Sequence, residues 1–149
     1  MSASITVVGL GSGNPDRLTI GIIKTMQRAS KVYVRTLSHP VIAALNEFQV
    51  NPESFDHVYE AHDTFPEVYE SIASALINLA RAAEDNREIV YAVPGHPMVA
   101  EATVRLLRER CPGENVTLTV LGGESFLDEA FVRLGFDPIE GFQLLDAAE

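Results

Sequence analysis

At 149 residues and 46% hydrophobic, the chain has the size and apolar content of one compact domain with a substantial core. Its formal charge of −10 excludes a general nucleic-acid binder, which needs a basic face against phosphates. A single cysteine, Cys111, rules out an internal disulfide, and no apolar run approaches the roughly twenty residues that cross a bilayer, so a soluble, cytoplasmic protein is expected.

The first element is a buried strand, Ile5 to Val8, that breaks into Gly-Leu-Gly-Ser-Gly-Asn-Pro-Asp over residues 9–16. Gly9, Gly11 and Gly13 remove side chains where the backbone must bend or a ligand comes close, and Pro15 with Asp16 is expected to start a helix. A second strand runs from Val32 to Arg35. It ends in arginine and threonine, so it lacks the acidic residue with which a dinucleotide fold holds a ribose. No Gly-Lys-Ser/Thr follows the glycines, so a P-loop also fails.

A third strand is expected near His57 to Tyr59. Thr64-Phe-Pro-Glu67 has capping-box spacing and opens the clearest helix, which repeats apolar residues at Val68, Ile72, Leu76, Leu79 and Ala83 and fades at Asp85-Asn86. A strand from Glu88 to Val93 then enters a second turn, Pro94-Gly-His-Pro97. The next helix shows Val99, Ala102, Leu106 and Leu107 on one side and stops at Cys111-Pro-Gly113, which makes Cys111 a buried core thiol. A last strand spans Val116 to Leu121. Strands alternating with helices predict an α/β fold: a mostly parallel sheet with helices on both faces and right-handed crossovers.

Two Gly/Pro loops at the ends of buried strands predict one ligand cleft at the carboxyl edge of the sheet. His96 sits in the stiff second turn, where it is either a ligand contact or a surface histidine. His39, His57, His62, His96 and Cys111 contain no close liganding pair, so no metal site is expected. Residues 1–40 carry Arg17, Lys24, Arg28, Lys31 and Arg35 against Asp16 alone, so the first helix is expected either to offer a modest positive field to an anionic ligand or to be a plain solvated face.

Several ordered blocks resemble one family: residues 8–16 with Leu18-Thr19, Tyr33-Val-Arg-Thr36, His39-Pro40, Val93-Pro-Gly-His-Pro97, Leu121-Gly-Gly-Glu-Ser-Phe126 and Asp137-Pro-Ile-Glu-Gly141. They resemble the tetrapyrrole (corrin/porphyrin) methylases, and within them the YabN-type module found ahead of a MazG-type nucleotide pyrophosphohydrolase. The resemblance implies an S-adenosylmethionine-dependent methyltransferase with the cofactor between two α/β lobes. Here these would be an N-terminal lobe over residues 1–118 and the beginning of a second lobe over residues 119–149, with the chain expected to be a fragment that is inactive alone. Carried over, Gly11, Ser12, Gly95, His96, Pro97, Val99, Ser125 and Phe126 would contact the cofactor. The acceptor would be a small molecule, a tetrapyrrole by the family's name, and a homodimer is expected. The chemistry asks for orientation rather than a dedicated acid or base, and no catalytic residue is assigned.

Asn14 and His96 stand where many active members carry aspartate, and the −10 charge would repel carboxylate-rich tetrapyrroles. These departures favour the alternative, a non-catalytic binding or regulatory module attached to a MazG-type hydrolase. That hydrolase itself would lie outside the chain: Glu67-Val-Tyr-Glu70 supplies half of its metal-binding signature, and no second half follows.

Overall fold

The computed structural model describes residues 3–147, so residues 1–2 of the first expected lobe and 148–149 of the second lie outside it. Five strands, β1 (Ala3–Gly9), β2 (Lys31–Val34), β3 (Glu53–Ser54), β4 (Ile89–Val93) and β5 (Val116–Leu121), form one sheet in the order β3-β2-β4-β1-β5. Every pairing is parallel, with Ile5 opposite Ile89 and Leu118, and Lys31 opposite Ile89. Parallel strands covered on both faces need continuous apolar runs, and β4 is buried at all five positions.

Successive side chains leave a strand on opposite faces. Ile5, Val7, Tyr91 and Val93 therefore pack on one face under α4 (Phe65–Ala82) and α5 (Ala102–Arg110), against Ile72, Leu76 and Leu107. Val8, Val34, Val90 and Ala92 pack on the other under α1 (Ile20–Arg28) and α2 (Ile42–Glu47), against Ile22, Met26 and Leu45. Cys111 is fully buried in the first of these clusters. Helix α4 starts as its sequence predicts: Thr64 Oγ1 accepts from Glu67 N at 3.4 Å, and Val68, Ile72, Leu76 and Ala80 form the buried stripe.

Two local expectations are corrected. His57 to Tyr59 is not a strand but part of α3 (Asp56–Ala61), in which Val58 alone is buried. One apolar residue between two polar or aromatic ones looks the same for one helical turn as for a short alternating strand. The third strand is the two-residue β3 just before it, paired with Tyr33 and Val34. Pro15 and Asp16 start only a 3-10 turn (Pro15–Arg17), capped by Asn14; the chain extends again at Leu18, and Thr19 caps α1. Arg17 is therefore not on the first α-helix.

The expected division after residue 118 falls within β5. Beyond β5, α6 (Phe126–Leu134) starts with a full capping box between Ser125 and Asp128 and buries none of its residues. Among the described residues, no helix is long and apolar enough to cross a membrane.

Ile72 is fully buried between α4 and the sheet. Ile72→Ala should lower the unfolding free energy by about 2–5 kcal/mol, read from the denaturant midpoint, and a loss below about 1 kcal/mol would contradict this packing.

Candidate functional site

In the sheet order, β4 and β1 are neighbours, yet the chain leaves β1 toward β2 on one side and leaves β4 toward β5 on the other. Such a switch point opens a crevice at the carboxyl ends of the two strands. Both Gly/Pro loops meet there. Leu10 N donates to Val93 O at 2.8 Å, Gly95 N donates to Gly11 O at 2.9 Å, and Gly11 N returns a bond to Gly95 O at 3.3 Å. The loop after β5 closes on the same point: a Cβ at Gly9 would lie 2.3 Å from Gly95 O and 2.9 Å from Gly123 N. Only glycine allows that approach.

The cleft above this junction has a volume of about 300 Å³. Of the expected cofactor residues, Gly11, Ser12, Gly95, His96, Val99, Ser125 and Phe126 line it, and Pro97 faces a neighbouring depression with Met98 and Arg105. Asn14 is outside the cleft, where its side chain accepts from Asp16 N at 3.0 Å. His96 Nδ1 accepts from Met98 N at 3.0 Å, which assigns the ring proton of the neutral form to Nε2. The ring rests on Gly122, where a Cβ would sit 2.5 Å from Nε2. Ser125 Oγ accepts from Leu127 N at 3.1 Å, and Ser125 N donates to Asp128 Oδ2 at 2.7 Å, so this serine fixes the start of α6 at the cleft wall.

Sequence reasoning missed Arg35, His39 and Glu101 as lining residues. Arg35 Nη1 donates to Glu101 Oε2 at 2.9 Å, and the Glu101 side chain is only 4% exposed. Burial pushes the Glu101 carboxyl above the ordinary glutamate value, while the Arg35 charge pulls it back. Ala100, just before it, has φ +55, a left-handed conformation that turns the chain as Glu101 enters the protein. His39 Nδ1 accepts from Val41 N at 3.2 Å, and burial lowers the pKa of this imidazole. The sequence marked Arg35 as the end of the second strand, as one of the basic residues near the N-terminus and within the Tyr33–Thr36 block, but not as a cleft residue.

On the other flank, Ser12 Oγ donates to the Glu124 carboxylate, which also takes a 2.6 Å bond from Arg17. These hydrogen bonds hold Glu124 below the ordinary glutamate range. Arg17 also lies 3.3 Å from Glu129 of α6, so the residue expected to contribute to a positive field is committed to carboxylates. Among the described residues, no three His, Cys, Asp or Glu side chains come together as a metal-binding group.

The family model for tetrapyrrole (corrin/porphyrin) methylases matches residues 4–148. The chain is 54% identical over 147 residues to the uncharacterized protein YabN of Bacillus subtilis (strain 168), covering 99% of this chain and 29% of YabN. Among solved structures, uroporphyrin-III-C-methyltransferase from Thermus thermophilus superposes with a TM-score of 0.68 at 23% identity, over 92% of this chain and 55% of that one. Diphthine synthase gives 0.69 at 19% identity, over 92% and 51%. The chain thus spans less than a third of YabN and about half of each of these structures.

Gly122→Ala should push the His96 ring from its seat, shifting the His96 imidazole and Met98 amide NMR signals; unchanged signals in a folded variant would contradict the 2.5 Å approach. In carboxyl NMR, Glu101 should protonate at higher pH than Glu124, and Arg35→Met should raise it further by removing the opposing charge. The raised pKa means that the folded state holds this proton more tightly. The contribution of Glu101 to stability is therefore full below the unfolded-state pKa and lost as pH rises through the folded one. Glu101 titrating below Glu124 would overturn the assignment.

Proposed function

Because the chain belongs to the tetrapyrrole (corrin/porphyrin) methylase family, we propose that the cleft between the β1 and β4 loops binds S-adenosylmethionine and that the protein is a methyltransferase. The observation that carries this reading is the cleft itself. It sits at the switch point of a parallel sheet, is walled by both glycine loops, and has about 300 Å³ of space. The fit to the cofactor rests on the lining. Gly95 has φ +69 and nothing within 4 Å of a built Cβ, which leaves open room above the loop, while Val99 and Phe126 offer apolar surface.

In this reading Gly11, Ser12, Gly95, His96, Pro97, Val99, Ser125 and Phe126 hold the cofactor. The sulfonium, when bound, supplies an already activated methyl group. What the chain contributes is positioning and exclusion of water. The hydrogen-bonded loops set the floor, His96 Nε2 offers a donor beside Gly122, and Ser125 anchors the wall. No side chain needs to take up a proton to make the leaving thioether.

The acceptor is a small molecule in this proposal, and its charge is constrained. Arg17, Lys31 and Arg35 of the basic N-terminal stretch are paired with Glu124, Glu53 and Glu101. Those three pairings weaken the pull of the stretch on a carboxylate-rich tetrapyrrole and leave Lys24 and Arg28 to supply it. Residues 119–149 are proposed to begin a second lobe. Val132, Leu134 and Ile139, more than two-thirds exposed, support burial of this segment in an assembly, for which a homodimer is the simplest form.

Titration calorimetry should show binding of S-adenosylmethionine or its demethylated product and no binding of NAD. Gly95→Val should abolish the heat by placing a branched side chain at a positive φ and in the open space above the loop. NAD binding as tightly, or full affinity in a folded Gly95→Val variant, would overturn the assignment.

A further inference from the structure

Two serines line the cleft, Ser12 on the β1 loop and Ser125 at the start of α6, and each donates its hydroxyl proton to a carboxylate outside the lining. Ser12 Oγ donates to Glu124, and Ser125 Oγ donates to Asp128 Oδ2 at 3.1 Å. A serine hydroxyl carries one proton and two acceptor lone pairs, so a hydroxyl bonded in this way meets a ligand only as an acceptor. Ser125 Oγ already accepts from Leu127 N at 3.1 Å, which leaves it one lone pair. Ser12 keeps both.

The direction of the Ser12 bond is set by the state of Glu124. Arg17 donates to its second oxygen, Oε2, at 2.6 Å, and is itself held by Glu129 at 3.3 Å. The bonds from Ser12 and Arg17 outweigh the repulsion from Asp128, so Glu124 is ionised at neutral pH and has no proton of its own to offer Ser12. An ionised carboxylate can only accept, so Ser12 must donate to it.

We propose that Glu124 sets the hydrogen-bond polarity of the cleft: by keeping the Ser12 proton it makes Ser12 an obligate acceptor, which engages the ligand through the ligand's own O–H or N–H groups. Glu124 is then a positioning residue that acts through Ser12. This role rests on the reading of the cleft as the site of S-adenosylmethionine. The donors of that cofactor are its two ribose hydroxyls, its α-ammonium group and its adenine amino group. If its carboxylate or an adenine ring nitrogen were turned toward Ser12 instead, lone pair would face lone pair and both would go without a partner. The polarity of one hydroxyl thus discriminates between orientations of the same ligand.

The test titrates the 149-residue chain with S-adenosylhomocysteine and with analogues of it that each lack one donor: the 2′-deoxy, 3′-deoxy, deaminated and N6,N6-dimethyl forms. Ser12→Ala should weaken S-adenosylhomocysteine by about three- to tenfold. At least one analogue should bind the parent chain more weakly by a similar factor and lose nothing further in Ser12→Ala, a non-additivity that a merely structural bond would not produce. Ser12 is exposed, and a thermal melt checks that the variant is folded. In carboxyl NMR, Glu124 should titrate below the ordinary glutamate range with and without S-adenosylhomocysteine, and Ser12→Ala should raise it. A rise in the parent on ligand binding would show the Ser12 proton turned to the ligand and would overturn the polarity. So would the same Ser12→Ala loss for every analogue, or no loss for any; in those cases the polarity falls while the cofactor site stands. If S-adenosylhomocysteine does not bind, the cofactor site falls, and the role of Glu124 with it.

Discussion

The architecture of the site depends on one close approach, that of Gly9 to the backbones of Gly95 and Gly123. Three strand ends converge where a single Cβ would sit 2.3 Å from a carbonyl oxygen. With that space free, the β1 and β4 loops exchange hydrogen bonds through Gly11 and Gly95 and form a common floor. The strands bring the rest. β1 and β4 are paired in register up to Gly9 and Val93, so their loops begin at the same height. The rigidity of that floor comes from backbone bonds and buried neighbours such as Leu10 and Val93 rather than from side chains that a ligand would have to displace.

Features that depend on local chemistry were legible in the sequence. The glycine and proline turns, the Thr64 cap and the Ile72–Leu76 stripe each follow from a few neighbouring residues, and the structure has them where the pattern places them. The strand expected at His57 to Tyr59 failed because Val58 is one buried position in six residues of helix, too short for a period of 3.6 to be told from a period of 2. The helix expected at Pro15 failed because Asn14 caps a single turn and Leu18 extends the chain before Thr19 caps the real helix. Glu101 as the partner of Arg35 was invisible for another reason. Their pairing spans 66 residues, and nothing local marks a glutamate after Ala100 as buried.

The charge asymmetry of the chain has a similar lesson. An excess of basic residues near the N-terminus suggests a surface field, but in the fold three of the five meet carboxylates from later in the sequence. Lys31 pairs with Glu53 across neighbouring strands, Arg17 with Glu124 beyond β5, and Arg35 with Glu101 before α5. Summed charge over a segment therefore says little about the potential at a site once the chain has folded. What persists at the cleft is a local pattern of paired charges.

Those pairs also bracket the cleft. β4 and β1 occupy the middle of the opening, Arg35 follows β2 on one flank, and Glu124 follows β5 on the other. The Arg35–Glu101 link is the stiffer of the two, because its carboxylate is almost wholly buried and separating the partners would leave a charge out of water. The Arg17–Glu124 link has a 40% exposed arginine and is screened, so it holds its loop far less firmly. Strain at Ala100 is accepted on the stiff side, where it turns the chain into Glu101. The wall that Arg35 and Glu101 build is thus held in place. The cleft therefore has one wall fixed by a buried charge pair and, opposite it, a surface arginine that can adjust while the Ser125 capping box keeps the start of α6 in place.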